Sequence, residues 1–185
     1  MDRTAALLDQ LARYEPADEL EWKCHRDMTR LLSASSDPFS RMEFDPGHIT
    51  ASVFILDQEG RLLLHHHRRL GRWLQMGGHL EPGEMPVDAA MREGSEESGL
   101  SDLRVVGEGA LDLDVHDIPA GKGEPAHHHF DVRYLARTSR PQSIIIDSSE
   151  SLDLVWVTLE QAESLMAAPE SSRVIRKITR VLCAS

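Results

Sequence analysis

Three glutamates pose the chemical question in this chain. Glu93, Glu96 and Glu97 stand at i, i+3 and i+4 between Pro86 and Gly99, a spacing that puts them on one face of a helix. Carboxylates on such a face lie ~5 Å apart, and at an effective dielectric of ~20 each pair repels by about 3 kcal/mol. A hard divalent cation converts that repulsion into coordination, because Mg²⁺ and Mn²⁺ prefer carboxylate oxygens. The surrounding residues suit a helix. Pro86 belongs in a first turn, where its missing N–H costs nothing. Val87, Ala90, Met91 and Gly94 make an apolar stripe that the pattern sets away from the acids, and Gly99 is placed to end the helix in a left-handed conformation.

The wider stretch, GGHLEPGEMPVDAAMREGSEESGL from Gly77 to Leu100, has a fixed order. Gly78 is followed after five residues by Glu84, after seven more by Arg92-Glu93, then by Glu96-Glu97 and Gly99-Leu100. This resembles the signature box of the Nudix hydrolases. Two positions depart from the family pattern: Gly94 stands where an aliphatic residue is usual, and Met76 where a proline often precedes the paired glycines. Glycine costs roughly 0.5–1 kcal/mol against alanine inside a helix, so Gly94 suggests close packing on a neighbouring strand.

The resemblance implies a Nudix pyrophosphohydrolase, a metal-dependent enzyme. It would cleave the diphosphate linkage of a nucleoside diphosphate joined to another moiety, by attack of water on phosphorus. By the same resemblance, Glu93, Glu96, Glu97 and the Gly77 carbonyl hold Mg²⁺ or Mn²⁺. Arg92 and Glu84 order the loop and helix, and the water is deprotonated by Glu97, Glu93 or a residue outside the box. Glu150, in the polar loop of DSSESLDLVWV, is the candidate for that outside residue, since several relatives draw a glutamate from a comparable loop. The substrate is a small-molecule nucleotide whose identity stays open among ADP-ribose, nucleotide sugars, dinucleoside polyphosphates, CDP-alcohols and oxidised nucleoside triphosphates. Three rivals belong to other classes, and one of them, a zinc-binding or structural protein, would explain the histidines but not the box. A non-catalytic Nudix nucleotide sensor would show an eroded box, and this one keeps its acids. A Nudix-type isopentenyl-diphosphate isomerase would need a cysteine in the pocket, whereas Cys24 and Cys183 flank the domain.

Outside the box, Arg68, Arg69 and Arg72 precede it in a loop where guanidinium groups suit bidentate contact with phosphate; as surface arginines they need no such role. The histidines include two triplets, 65–67 and 127–129. Strand alternation puts His127, His129, Asp131 and Arg133 on one face, either a polar wall over a substrate pocket or a solvated sheet face. Alternate histidines also suit zinc, although no third or fourth ligand is fixed by spacing.

These groups need elements to position them. Residues 3–14 predict a short helix with Leu8, Leu11 and Ala12 inward. A second helix from Asp18 sets Leu20, Cys24, Met28, Leu31 and Leu32 on one face. SASSDPFSRMEFDPGH then reads as a linker. Residues 1–45 therefore form an N-terminal helical extension, a cap, a dimer interface or part of the substrate pocket, and residues 46–185 form the hydrolase domain. Within the latter, ITASVFILD and RLLLHHH predict a hairpin and RWLQM a short strand into the box. Strands are expected over 103–115 and 127–138, separated by the loop DIPAGKGEPA, and over 152–157. Thr158 and Gln161 suit a capping box for a helix over LEQAESLM, and a last helix begins near Ser172. Strands among helices without regular βαβ alternation suggest a layered α/β/α sandwich; the resemblance adds that its sheet is mixed.

Composition narrows the setting. A net charge of −11 argues against a nucleic-acid polymer as partner, since Lys and Arg supply most of that affinity. Two distant cysteines suit reduced thiols. MDRTAALLDQL is broken by charge too early for a signal peptide, and no apolar run suits a membrane span. The expectation is a cytoplasmic protein.

Overall fold

Gly47–Leu56 (β1) is buried along its whole length and carries the architecture. Its alternating residues feed two separate cores: Ile49, Ala51, Val53 and Ile55 face one, Phe54 and Leu56 the other. A strand buried on both sides needs no solvated face; residues 53–56 are continuously apolar, while the buried polar Thr50 and Ser52 in its first half are satisfied by Asp131. The computed structural model describes residues 2–121 and 123–184. Lys122, inside the expected DIPAGKGEPA loop, and Met1 and Ser185, at the ends of the two expected segments, lie outside the described residues.

β1 runs parallel to His127–Arg137 (β7) with His48 opposite His129. It runs antiparallel to Leu62–His67 (β2) and to Met76–His79 (β4), the latter with Ser52 opposite Gly77. Arg72–Leu74 (β3) and Ser151–Val157 (β8) pair with β2. Arg104–Val105 (β5) and Asp112–Ile118 (β6) pair with β7. The expected strand over 103–115 is thus two strands. Gly107 interrupts it at φ +90°, a conformation only glycine adopts freely.

Helices cover both faces of this mixed sheet, so the chain is an α/β/α sandwich. Arg3–Ala12 (α1), Glu19–Ala34 (α2) and Pro86–Ser98 (α3) share the core of Ile49 and Val53. Leu159–Met166 (α4) and Ser171–Ala184 (α5) share the core of Phe54 and Leu64. The Thr158–Gln161 capping box is present at the start of α4.

Three inward faces differ from the sequence reading. On α1 the second buried leucine is Leu7, while Ala12 is exposed. On α2 Leu20 is exposed and Glu21 is fully buried. There Glu21 accepts from Lys177 and the Tyr14 hydroxyl, and from the backbone N–H groups of Ala17 (2.7 Å) and Leu113 (3.1 Å). A buried carboxylate is tolerated when its lone pairs are all used. On α3 the buried set is Pro86, Ala89, Ala90, Gly94, Glu97 and Ser98. Glu97 therefore lies on the packed side of the helix, not opposite it, and Val87 and Met91 are only partly covered.

Candidate active site

β4, the loop after it and α3 place the box residues, and Arg92 ties the three together. Its Nε and Nη2 donate to the two oxygens of Glu84, each at 3.0 Å, and Nη2 also donates to the His79 carbonyl at 2.9 Å. Nη1 reaches Glu93 at 2.9 Å and Glu96 at 3.2 Å. Glu84 in turn accepts the Glu81 backbone N–H at 2.8 Å. Burial works to raise the Glu84 carboxyl, but the Arg92 hydrogen bonds outweigh it and hold Glu84 below its ordinary range. A bidentate fork of this kind fixes both charge and orientation.

The glycines make room for the acids. A Cβ at Gly78 would lie 2.5 Å from Glu93 Oε1, so the Glu93 carboxylate rests directly against bare backbone. At Gly77 a Cβ would run into Ser52 and the Ala51 carbonyl of β1. Gly94 meets Val53 Cγ1 at 2.6 Å in the same sense, which is the close packing its place in a helix suggested.

The three acids are not equivalent. Glu96 is exposed. Glu93 is half-buried, and burial raises its carboxyl above the usual range despite Arg92. Glu97 is 8 % exposed. Burial, then the neighbouring Glu93 charge, pushes it up to about 8, against the pull of the Gly77 N–H that donates to it at 3.3 Å. His65 lies beside Glu97, with Nδ1 at 3.9 Å, but burial lowers that imidazole to about 4, so it is neutral and supplies no counter-charge. A carboxylate buried without a full counter-charge is costly, and a divalent cation among Glu93, Glu96 and Glu97 would relieve that cost.

One broad cleft, ≈ 2250 Å³, contains these acids together with Arg68, Arg72 and Glu150. Glu150 is exposed, but its charge contributes to the rise at Glu97. Arg68 is tied to the Glu150 loop: its backbone N–H donates to the Glu150 carbonyl at 2.8 Å, and its Nε to the Ser148 carbonyl at 2.9 Å. His129 and Asp131 border the same cleft. The Asp131 carboxylate is committed, accepting from Thr50 (3.1 Å), Ser52 (2.7 Å) and Arg133 (3.1 Å). Arg133 is itself buried against Asp112 and Asp114. Burial disfavours the Asp114 anion, but Arg133 and His116 hold its carboxyl down at about 2. His127 lies apart from the box acids, buried beside Phe44, with Nδ1 2.8 Å from the Pro125 carbonyl.

Sequence reasoning missed His65, whose Nδ1 also meets Ser151 Oγ at 2.9 Å. The 65–67 triplet was visible, and carrying alternation on from Leu63, a residue of the core under α3, would have selected it. It also missed His48 and His79, isolated in sequence and brought together only by strand pairing.

Residues 46–178 match the family model described as the NUDIX domain. An isopentenyl-diphosphate Delta-isomerase from Streptomyces avermitilis is 35% identical over 133 residues, 68% of this chain and 64% of that protein. The chain thus matches less than two thirds of that relative's length. A probable DHNTP pyrophosphohydrolase from Lactococcus lactis is 32% identical over 135 residues, 72% of this chain and 76% of that protein. The fold is also that of a C. elegans Ap4A hydrolase, with TM-score 0.60, 23% identity, and coverage of 74% of this chain and 98% of the other.

Proposed function

Because this chain belongs to the NUDIX domain family, we propose that it is a divalent-metal-dependent hydrolase. It cleaves the diphosphate linkage of a nucleoside diphosphate derivative by attack of water on phosphorus. The observation that carries this reading is Glu97: a buried carboxylate beside Glu93, facing a cleft, with a backbone N–H as its nearest donor and no full counter-charge. The oxygen-only donor set of Glu93, Glu96 and Glu97 fits Mg²⁺ or Mn²⁺. Gly77 adds to it, since the N–H and C=O of one extended residue point to the same side and its N–H already points at Glu97. When bound, the cation supplies Lewis acidity, neutralising diphosphate charge and lowering the pKa of water. Arg92 and Glu84 hold the acids in place. Arg68 and Arg72 bind phosphate oxygens from the rim, and Glu97, Glu93 or Glu150 takes the proton of the attacking water.

A kinship with a pyrophosphohydrolase supports this choice. The similarity to an isomerase supports a second reading, isomerisation of isopentenyl diphosphate. The cysteines weigh against it. Cys183 is exposed at the end of α5. Cys24 on α2 borders the broad cleft, contrary to the sequence reading that set it outside the pocket, but burial pushes its thiol up to about 11, far from an activated thiolate. The deciding experiment is a panel of ADP-ribose, nucleotide sugars, dinucleoside polyphosphates, nucleoside triphosphates and isopentenyl diphosphate, each assayed with Mg²⁺ or Mn²⁺. Metal-dependent release of nucleotide or phosphate from at least one nucleotide is expected. Isomerised isopentenyl diphosphate with every nucleotide intact would replace the reading.

A further inference from the structure

The starts of β1 and β7 and the end of β4 bring three imidazoles together where no box carboxylate takes part. His48 sits opposite His129 in the parallel pairing, and His79 pairs beside them across Thr50. One ring nitrogen from each of His48, His79 and His129 lies within 4.8 Å of the others. The three ring centroids are 4.8 to 5.1 Å apart. His48 is 1 % exposed; its Nδ1 donates to the Glu43 carbonyl at 2.9 Å, while its buried Nε2 has no hydrogen-bond partner. A carbonyl on Nδ1 fixes the tautomer that leaves a lone pair on Nε2, which is how metal-bound histidines are oriented. An unmet lone pair this deep, aimed into a cluster of imidazoles, is otherwise costly.

We propose that His48, His79 and His129 form a second metal site in this chain, separate in its ligands from the carboxylates and suited to Zn²⁺ or a similar imidazole-preferring divalent ion. Tetrahedral zinc with Zn–N of ~2.0–2.1 Å sets its ligand nitrogens about 3.3 Å apart, so the rings close on the ion by roughly an ångström through side-chain rotation. His127 packs on two members of the trio, with ring centroids 5.2 Å from both His48 and His129. Its Nδ1 is engaged by the Pro125 carbonyl, which makes it the candidate fourth ligand. The nearby cationic groups are each paired with an acid: Arg41 with Glu124 at 3.5 Å, and His116, whose ring centroid is 5.5 Å from His129, with Asp114 at 2.9 Å. Neutral imidazoles select against Mg²⁺, so the two sites discriminate metals by ligand type. An ion here would tie β1 and β7 to β4, the strand that leads into the box helix.

The test is titration of the chelator-treated full chain with Co²⁺, as a visible stand-in for Zn²⁺, in excess Mg²⁺. One equivalent should produce a tetrahedral d–d absorption that one equivalent of Zn²⁺ abolishes. The band should persist in Glu96→Gln, and His48→Gln or His129→Gln should weaken binding at least ~10-fold. Absence of the band in the unaltered protein, or its loss in Glu96→Gln with retention in His129→Gln, would overturn the site. If a histidine variant does not fold, ring-nitrogen NMR of the unaltered protein decides. Zn²⁺ should shift His48, His79 and His129, and unshifted rings there would overturn the site equally.

Discussion

Gly94 of α3 and Val53 of β1 leave no space between them for a methyl group. A Cβ at 94 would sit 2.6 Å from Val53 Cγ1 and 3.1 Å from Leu103 Cδ1. Alanine would gain roughly 0.5–1 kcal/mol in helix propensity, yet overpacking typically costs about 1–3 kcal/mol. The second effect wins because both neighbours are held in the core. Gly94→Ala should therefore lose about 1–2 kcal/mol in urea unfolding, and Val53→Ala in the same chain should recover part of it. An alanine variant as stable as the parent would show that α3 can lift off the sheet.

Glu96→Gln and Glu97→Gln each remove one ligand charge with little change of shape. Turnover should fall by orders of magnitude while the fold survives, and chelation by EDTA should do the same to the parent. Circular dichroism alongside the assay separates loss of chemistry from loss of structure. Near-normal rates in either variant would move the site elsewhere.

The metal-free protein should also report Glu97 through its stability. Its folded carboxyl titrates at about 8, against ~4.3 for an unfolded glutamate. The native state therefore holds the extra proton between those values, and stability falls as pH rises through that window, with the full penalty present above pH ~8. In EDTA, Tm of the parent relative to Glu97→Gln should drop steadily from pH 4 to 9, and Mg²⁺ should flatten the difference. A pH-independent difference would mean that Glu97 ionises normally.

Glu21 joins the N-terminal helices to the rest of the molecule. It is buried with Lys177 and lies 3.9 Å from Arg173, which is held at 2.8 Å by Asp112. Removing one partner of such a cluster strands a buried charge, at about 3–5 kcal/mol. Glu21→Ala should lose stability on that scale in urea unfolding. We propose on the same ground that residues 1–45 belong to the fold they cap: deletion should expose the core around Leu31 and Ile49 and cost solubility. A truncated chain that stays soluble with unchanged Tm would make the segment dispensable.

What was legible in the sequence follows from the range of each interaction. The helix of α3, the Gly99 terminus and the Thr158 cap depend on neighbours within a turn or two, and periodicity reads them directly; that Glu97 lies on the packed side of that helix depends on the sheet and was misread. Gly94 was legible as a departure, but its partner Val53 was not, because strand-to-helix packing leaves no local pattern. Glu21 was hidden for the same reason. A charged residue on an apolar stripe reads as the stripe's edge until Lys177, far along the chain, is placed beside it. The histidine cluster is the extreme case: His48 and His79 are isolated in sequence and meet His129, the end of a visible triplet, only through the parallel register of β1 and β7 and the return of β4.

Glu150 is the remaining candidate for the base. It stands in an exposed loop that reaches over the same cleft, its backbone carbonyl holds the Arg68 N–H, and its charge already acts on Glu97. A loop glutamate has the reach to approach a bound nucleotide that the packed Glu97, locked against Gly77, lacks. Glutamine at 150 keeps the shape and removes the basic group. With saturating metal, Glu150→Gln should lower turnover roughly 10²- to 10⁴-fold and alter the acidic limb of the pH–rate profile. The Glu97→Gln variant measured in parallel separates the roles, since loss of a ligand raises the metal concentration needed for half-maximal activity whereas loss of a base leaves it unchanged. Full turnover with an unaltered profile in Glu150→Gln would return proton abstraction to Glu97 or Glu93.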